Sequence, residues 1–343
     1  MPNIALLSAA HTHTKGFLKA IAEKDGTTLV AIYDDVADRG RRFAAEYGAA
    51  YSDDIDAVIA RKDVDGFIIC AENTRHLPLL KAAIPAGKPI FCEKPFTAAA
   101  AEAVEAVALI RKHNTIVHMG YAQPFTSAMQ GVLGCVSSGA LGRITHARYR
   151  SAHHAAYGRW FDAPDVAWFA RPDLAGGGAF MDMGTHAVHL LRTLLGPVAQ
   201  VFATISNVSG IYPEVDDNGL ALLRFKSGCL ATVEASWVQT GGLSGLEITG
   251  SEATLFQHPQ HGFVTAAPRK DPVPVPEGPA RPTRVDRLVA AIEGKLDREE
   301  VAQDLRCAVD AVAVVEACYR SSKAGAWVDV PQIWNEGHRG GQK

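Results

Sequence analysis

Asp182 and His186 stand four apart in Asp-Met-Gly-Thr-His, just after the triple glycine Gly176-Gly177-Gly178. At the start of a helix that spacing puts both side chains on one face. A neutral imidazole beside a carboxylate is a natural general base near pH 7, with the acid fixing its tautomer. Lys94, in Glu93-Lys94-Pro95, is a cation able to hold a hydroxyl and stabilise charge developing on its oxygen. A further group, His11-Thr12-His13, has a spacing that can grip a metal ion at a strand end. It lies where an apolar run, Ile4–Leu7, gives way to a helical pattern with Phe17, Leu18 and Ile21 on one face. A dinucleotide-binding turn belongs in such a link, but normally carries G-x-G-x-x-G. This link has no glycine before Gly16.

The elements that must position these residues fall into two halves. Up to about residue 120, strand patterns at Ile4–Leu7, Thr28–Tyr33, Val64–Ala71, Pro89–Cys92 and Thr115–Gly120 alternate with helical ones at Lys15–Lys24, Arg39–Tyr47, Asp54–Ala60, Leu77–Ala86 and Ala98–Lys112. Val64–Ala71 has almost no polar residue, as expected of a strand covered on both faces. Alternation with short links predicts a doubly wound parallel sheet, a Rossmann-type α/β domain. A helix near Thr126–Ser137 follows, then strand patterns at Ile144–Arg150, Val198–Ile205, Gly219–Phe225, Leu230–Trp237, Ser244–Thr249 and Ala253–Gln257. Turns such as Lys226-Ser227-Gly228 predict an open, mainly antiparallel sheet. One helix, Phe180–Leu195, interrupts it, Pro268–Pro282 reads as a surface excursion, and helices at Val285–Glu293 and Glu299–Ser321 close the chain. The expected domains are residues 1–120 and an α+β domain over 121–343.

Composition narrows the function classes. At 343 residues two cores are expected. A net charge of −3 with no basic run beyond Arg39-Gly40-Arg41-Arg42 argues against a nucleic-acid partner. The longest apolar runs fall short of a membrane span, and the first residues do not resemble a signal peptide. Six scattered cysteines, with no C-x-x-C, suggest neither disulfides nor a cysteine zinc site, which favours a reducing cytoplasm.

In an open parallel sheet, ligands lie beyond the carboxyl ends of the strands. Those ends run into Ser8–His13 (with Ala10, His11 and Thr12), Tyr33-Asp34-Asp35, Ala71-Glu72-Asn73-Thr74-Arg75-His76, Glu93-Lys94 and Tyr121-Ala122-Gln123. A cofactor is expected along this edge. Asp34 sits where such folds place an acid on the adenosine ribose hydroxyls. Asp35 would repel a ribose 2′-phosphate and no arginine takes its place, so NAD is expected over NADP.

Glu93-Lys94-Pro95 after a buried strand, together with Gly176-Gly177-Gly178-x-x-x-Asp182-x-Gly184-x-His186, resembles the Gfo/Idh/MocA oxidoreductases over nearly the whole chain. The resemblance implies hydride transfer between NAD and a secondary alcohol of a sugar, sugar derivative or cyclic polyol. It implies His186 as acid/base, with a rate limb near neutrality, Lys94 as polariser and proton-relay partner, and Asp182 as substrate anchor. It directs substrate contacts to His153, His154, Tyr157 and Trp168, with Arg171 a further candidate. A cofactor or substrate approaching Gly184 would explain a glycine inside the helix. His189 stands where relatives more often carry Asp, and Pro124 near a position where many carry Arg.

Small residues at 8 and 10 still let backbone approach a phosphate, while a helix N-terminus supplies amide donors. A metal would need His11 and His13 to converge with other ligands, and a hydrolase barrel would need eight βα units, so NAD and no metal is expected at this turn. Rival readings are a redox-neutral sugar enzyme with tightly held NAD and a nucleotide-binding sensor without turnover. An uncovered face of the second sheet, with apolar residues from Ala221–Phe225 and Ala231–Trp237, predicts a homodimer or homotetramer.

Overall fold

The structure, a computed structural model, describes residues 1–242 and 245–334. Six parallel strands form the first sheet: β1 (Asn3–Leu7), β2 (Thr28–Tyr33), β3 (Ala50–Ser52), β4 (Gly66–Ile69), β5 (Ile90–Cys92) and β6 (Val117–Met119). Their order, β3-β2-β1-β4-β5-β6, reverses direction between β1 and β4, and so opens a crevice there. The core strands are apolar on both faces because helices cover both. α1 (Thr14–Ala22) and α2 (Ala37–Tyr47) lie on one side, α4 (His76–Ala83) and α5 (Ala100–His113) on the other, and the short α3 (Ile55–Ile59) joins the latter side. β3 escapes the sequence reading because three half-buried residues carry no alternation that could be detected.

After α6 (Ser127–Ser137) comes the first strand of a nine-stranded mixed sheet, β7 (Ile144–Ala152). It continues past α7 (Pro172–Ala175) and α8 (Thr185–Leu195) with β8 (Val198–Ser206), β9 (Asn218–Phe225), β10 (Leu230–Ser236), β11 (Gly245–Gly250), β12 (Thr254–His258), β13 (Gly262–Ala266), β14 (Val273–Pro274) and β15 (Val328–Asp329). Among the described residues β7 and β10 run parallel and the other pairings are antiparallel. Ser244, expected at the start of a strand, lies outside the described residues. The expected helix over Phe180–Leu195 is two pieces, a π-helical turn at Phe180–Gly184 and then α8. A Cβ at Gly184 would meet the ring of Phe180 at 3.1 Å, so packing within the wide turn itself already accounts for a glycine here.

Two closing helices fix how the halves sit. α9 (Arg284–Ile292) sends Val285, Leu288 and Val289 into the core beside β1 and α1. α10 (Arg298–Ala324) is 27 residues long, or about 40 Å at helical rise. Its first half gives Leu305, Ala308, Val309 and Val312 to the first sheet's core, and its second half gives Val314, Val315, Ala317 and Cys318 to the second. Asp297 caps its start by accepting from the Glu299 amide at 2.8 Å, and Gly325 at φ 62° ends it.

One face of the second sheet is uncovered, and of the expected stretches Leu222 lies on it. Along β9, Ala221, Leu223 and Phe225 face the helices, as do Ala231, Val233 and Ala235 of β10. The period of two turns Leu220, Leu222 and Leu230 outward instead, each more than two-fifths exposed.

Several histidines are buried in neutral surroundings. Burial pulls His11, His76 and His118 below the usual imidazole range, with Arg287 adding to the effect at His118. The His118 ring stacks on Phe91 at 5.1 Å between centroids. An unfolded chain takes up these protons below about pH 6.5 and the folded one does not, so stability falls as pH drops through that value. Thermal melts should show the loss between pH 7 and 5. His118→Phe, which keeps the stack, should flatten the slope by on the order of 1 kcal/mol per pH unit; an unchanged slope would count against this account.

Candidate active site

The site begins at the turn after β1. Ser8 adopts φ 68°, the left-handed conformation for which a glycine is usually needed, and its amide donates to the Tyr33 carbonyl at 2.7 Å. The next amide, of Ala9, donates to Asp34 Oδ2 at 2.8 Å. Asp34 is wholly buried and saturated: Oδ1 also accepts from the Val36 amide, and Arg39 grips both oxygens at 2.8 and 2.9 Å. The expectation that Asp34 reads ribose hydroxyls is therefore corrected, since its oxygens are spent on locking the turn to β2. The expectation of no arginine here also fails. Arg39 reaches Asp35 at 3.7 Å and Glu72 at 3.5 Å, and Arg75 pairs with Asp35. Asp35, with its side chain 30% exposed, is the acid left facing the crevice.

At the end of β5, Glu93 is fully buried and Lys94 nearly so. Glu93 accepts from the Lys94 amide at 3.0 Å and pairs with His13 Nδ1 at 3.0 Å. Burial alone would raise its carboxyl, but the His13 hydrogen bond and the charges of His11, His13 and Lys94 outweigh that and hold it well below the usual range. Lys94 points away, across to the second domain, where Nζ donates to Asp182 Oδ1 at 2.6 Å. Asp182 Oδ2 accepts from Trp237 Nε1 at 2.9 Å and faces His153 Nε2 at 3.9 Å. Burial would raise Asp182 too, but Lys94 first and Trp237 next keep it ionised.

His186 follows one turn later, edge-on to Tyr121 at 5.7 Å. Burial, then the charge of Lys94, pull its imidazole down to about 3 against the opposing pull of Asp182. It is thus a neutral ring at ordinary pH. The expected titration near neutrality is corrected downwards, because a desolvated imidazole beside an ammonium resists a second positive charge. Tyr121 is stacked on its other side by His189 at 3.9 Å and its hydroxyl meets Thr185 Oγ1 at 2.6 Å. Asp304 of α10 faces His189 at 3.6 Å, so an acid reaches this position from another element.

The remaining candidates divide. Thr12 and His13 line a surface cleft with Phe17 and Arg284. Gln123 accepts from Tyr149 Oη at 2.8 Å. His154 and Tyr157 are exposed at the rim, and Trp160 stacks on His153 at 4.8 Å. Three assignments are corrected by burial. His76 is enclosed between the Pro95 and Ala71 carbonyls, which tie β5 to β4, and Asn73 donates to the Ala175 carbonyl at 2.8 Å. Trp168 is buried with Nε1 donating to the Ala10 carbonyl at 2.9 Å, so it braces the turn instead of facing a substrate. Arg171 pairs with Asp173 on the surface. Ala71 is buried, offering backbone alone.

Two participants escaped the sequence reading. Trp237 lies 55 residues from Asp182, and only the register of β10 unites them. Asp216 accepts from the Gly178 and Phe180 amides at 2.8 Å and from Tyr319 Oη, clamping the segment that carries Asp182. A Cβ at Gly178 would sit 1.9 Å from the Asp216 carbonyl, which accounts for the third glycine.

Residues 9–121 match the domain described as "Oxidoreductase family, NAD-binding Rossmann fold", and residues 130–256 match the Gfo/Idh/MocA C-terminal domain. The chain belongs to the Gfo/Idh/MocA oxidoreductases. It is 26% identical over 252 residues to 1,5-anhydro-D-fructose reductase of Ensifer adhaerens, covering 73% of this chain and 74% of the relative. It is 28% identical to myo-inositol 2-dehydrogenase of Thermotoga maritima, covering 68% of each. A levoglucosan dehydrogenase solved with NADH and L-sorbose shares the fold, at TM-score 0.78 and 23% identity over 97% of this chain and all of that one.

The strand edge of this Gfo/Idh/MocA protein suits a dinucleotide. α1 begins with no side-chain cap and no acid in its first turn, so the positive end of its dipole suits a pyrophosphate. Glu72 Oε2 and His11 Nε2 are buried without partners along the same edge. An acid facing the crevice at residue 35 would repel a ribose 2′-phosphate, so NADP should bind more weakly than NAD. Asp35→Asn should narrow the gap by roughly tenfold, about 1.4 kcal/mol, because Arg39 and Arg75 remain beside residue 35. Fluorescence titration with both cofactors checks this, and an unchanged ratio would return the role to Asp34.

Proposed function

We propose that the protein transfers a hydride between NAD and a secondary alcohol of a sugar, sugar derivative or cyclic polyol. The observation that carries the reading is the buried Lys94–Asp182 pair, at 2.6 Å, formed between the two domains beside a neutral His186. The names of the reductase and inositol dehydrogenase relatives support the substrate class. So does the rim of His153, Trp160 and Tyr157, which offers ring faces and hydrogen bonds suited to a polyol.

Bound NAD would supply the hydride acceptor. The proteinaceous part of the reaction is then proton and charge management. His186, neutral at ordinary pH, accepts the hydroxyl proton as the hydride leaves the carbon that bears it, so the transfer is driven by the oxidation and not by the basicity of the resting ring. Lys94 donates a hydrogen bond to the same oxygen and stabilises the charge that develops as the proton leaves. Asp182 pairs with the buried Lys94 and, through Trp237, is held at one orientation. In the reverse direction the imidazolium returns the proton.

We further propose a homo-oligomer closed over Leu220, Leu222 and Leu230, and a reducing cytoplasm as its compartment. All six cysteines are free, and among the described residues no helix is long and apolar enough to cross a membrane. In sedimentation, Leu222→Asp should shift the wild-type oligomer toward monomer, and a wild type already monomeric at micromolar concentration would refute the interface.

With the true substrate, Lys94→Ala and His186→Ala should each lower turnover by about 100- to 10,000-fold, or roughly 3–5 kcal/mol of barrier, while NAD binding changes little. The wild-type rate of alcohol oxidation should carry no His186 limb between pH 6 and 7. Near-normal turnover in either variant would move the base elsewhere, with His153 next in line.

A further inference from the structure

We propose that His11, His13 and Glu93 form a binding site for a zinc-type divalent cation at the edge of the first sheet. The hydride-transfer reading uses none of these three as a group, yet the fold brings one donor atom from each to within 4.8 Å of one another. Two come from the turn after β1 and the third from the end of β5, so the cluster is assembled by the sheet and not by a single flexible loop.

The chemistry of the donors is specific. Two imidazole nitrogens and one carboxylate oxygen make the three-ligand set of open zinc sites, in which water takes the fourth position. Bonds of about 2.0–2.1 Å at tetrahedral angles place ligand atoms about 3.4 Å apart. His13 Nδ1 and Glu93 Oε1 are already 3.0 Å apart, and the two imidazole rings are 4.5 Å apart between centroids.

One donor atom of the cluster has no partner. Glu93 has no exposed surface; its Oε1 faces His13 Nδ1 and its Oε2 accepts from the Lys94 amide, while the Lys94 ammonium is committed to Asp182. His11 is buried against Trp168 and Phe169; its Nδ1 accepts from the His13 amide at 3.2 Å and its Nε2 has no hydrogen-bond partner. A buried carboxylate beside an unsatisfied imidazole is stabilised by a dication. Access runs through His13, whose side chain is 38% exposed and stands in the wall of a surface cleft of about 330 Å³.

The test is calorimetric titration of the full-length protein, freed of dinucleotide, with zinc chloride. One equivalent should bind, and Co²⁺ in its place should give the intense visible bands of four-coordinate cobalt. His11→Gln and His13→Gln should each weaken zinc binding by more than the roughly 10- to 100-fold that an outer-shell change costs. Circular dichroism melts show whether each variant is folded, and His13, being partly exposed, is the safer of the two. His258→Gln disrupts the stacked His258–His261 pair, 4.6 Å apart, and should leave binding unchanged. No zinc binding by the wild type, wild-type affinity in His13→Gln, or loss in His258→Gln would each overturn the proposal. Because no dinucleotide is present, failure here leaves the hydride-transfer reading standing.

Discussion

Lys94 and Asp182 meet at 2.6 Å in a place where both side chains are almost wholly withdrawn from water. Taking two such ions from water costs several kcal/mol each, and their attraction repays this only when the remaining hydrogen-bonding capacity is met. Trp237 meets part of it on the aspartate. Much of the architecture can be understood as the means of bringing these two side chains together from separate domains. Lys94 stands two residues past the end of β5, Asp216 clamps the chain ahead of Asp182, and α10 packs along both cores so that the two sheets hold one relative position. A pair joined only by its own attraction would drift by the ångström or more that ruins positioned proton transfer.

The same pair sets the protonation state of its neighbour. An isolated buried imidazole is kept neutral by desolvation, and a nearby ammonium reinforces this, while a carboxylate opposes it. At His186 the first two win. The arrangement therefore separates roles that a simple acid–histidine dyad would combine. The carboxylate serves the lysine, and the histidine is left as an uncharged acceptor.

The first sheet was legible because its strands are continuous apolar runs and its helices amphipathic, so period and length identified both. Leu220 and Leu222 show where pattern alone was ambiguous: β9 is rich in apolar residues on both faces, and only the packed structure tells the covered set from the open one. The site was legible where motif spacing encodes it, as in Lys94, Asp182 and His186. It was misread where a polar residue at a strand end was assumed to face a ligand. His76 and Asn73 sit at the right edge, and Trp168 on the approach to the triple glycine, but each is consumed by a carbonyl that sequence cannot locate. Trp237 was invisible for the converse reason, since its partner lies far along the chain.

The glycine-less turn is the clearest case of one device replacing another. Glycines ordinarily serve here by tolerating left-handed backbone and allowing close approach. Ser8 adopts that conformation with a side chain present, at a cost in strain, so surrounding contacts must over-determine it. They do: the Ser8 amide is held by Tyr33, the Ala9 amide by Asp34, the His11 amide by Cys70, and the Ala10 carbonyl by Trp168. Asp34 is in turn gripped at both oxygens by Arg39. An acid that could have bound a cofactor hydroxyl is thus spent on holding the turn, and Asp35 becomes the carboxylate exposed to the crevice. The two changes are coupled, because freeing Asp34 would release the restraint that keeps Ser8 left-handed.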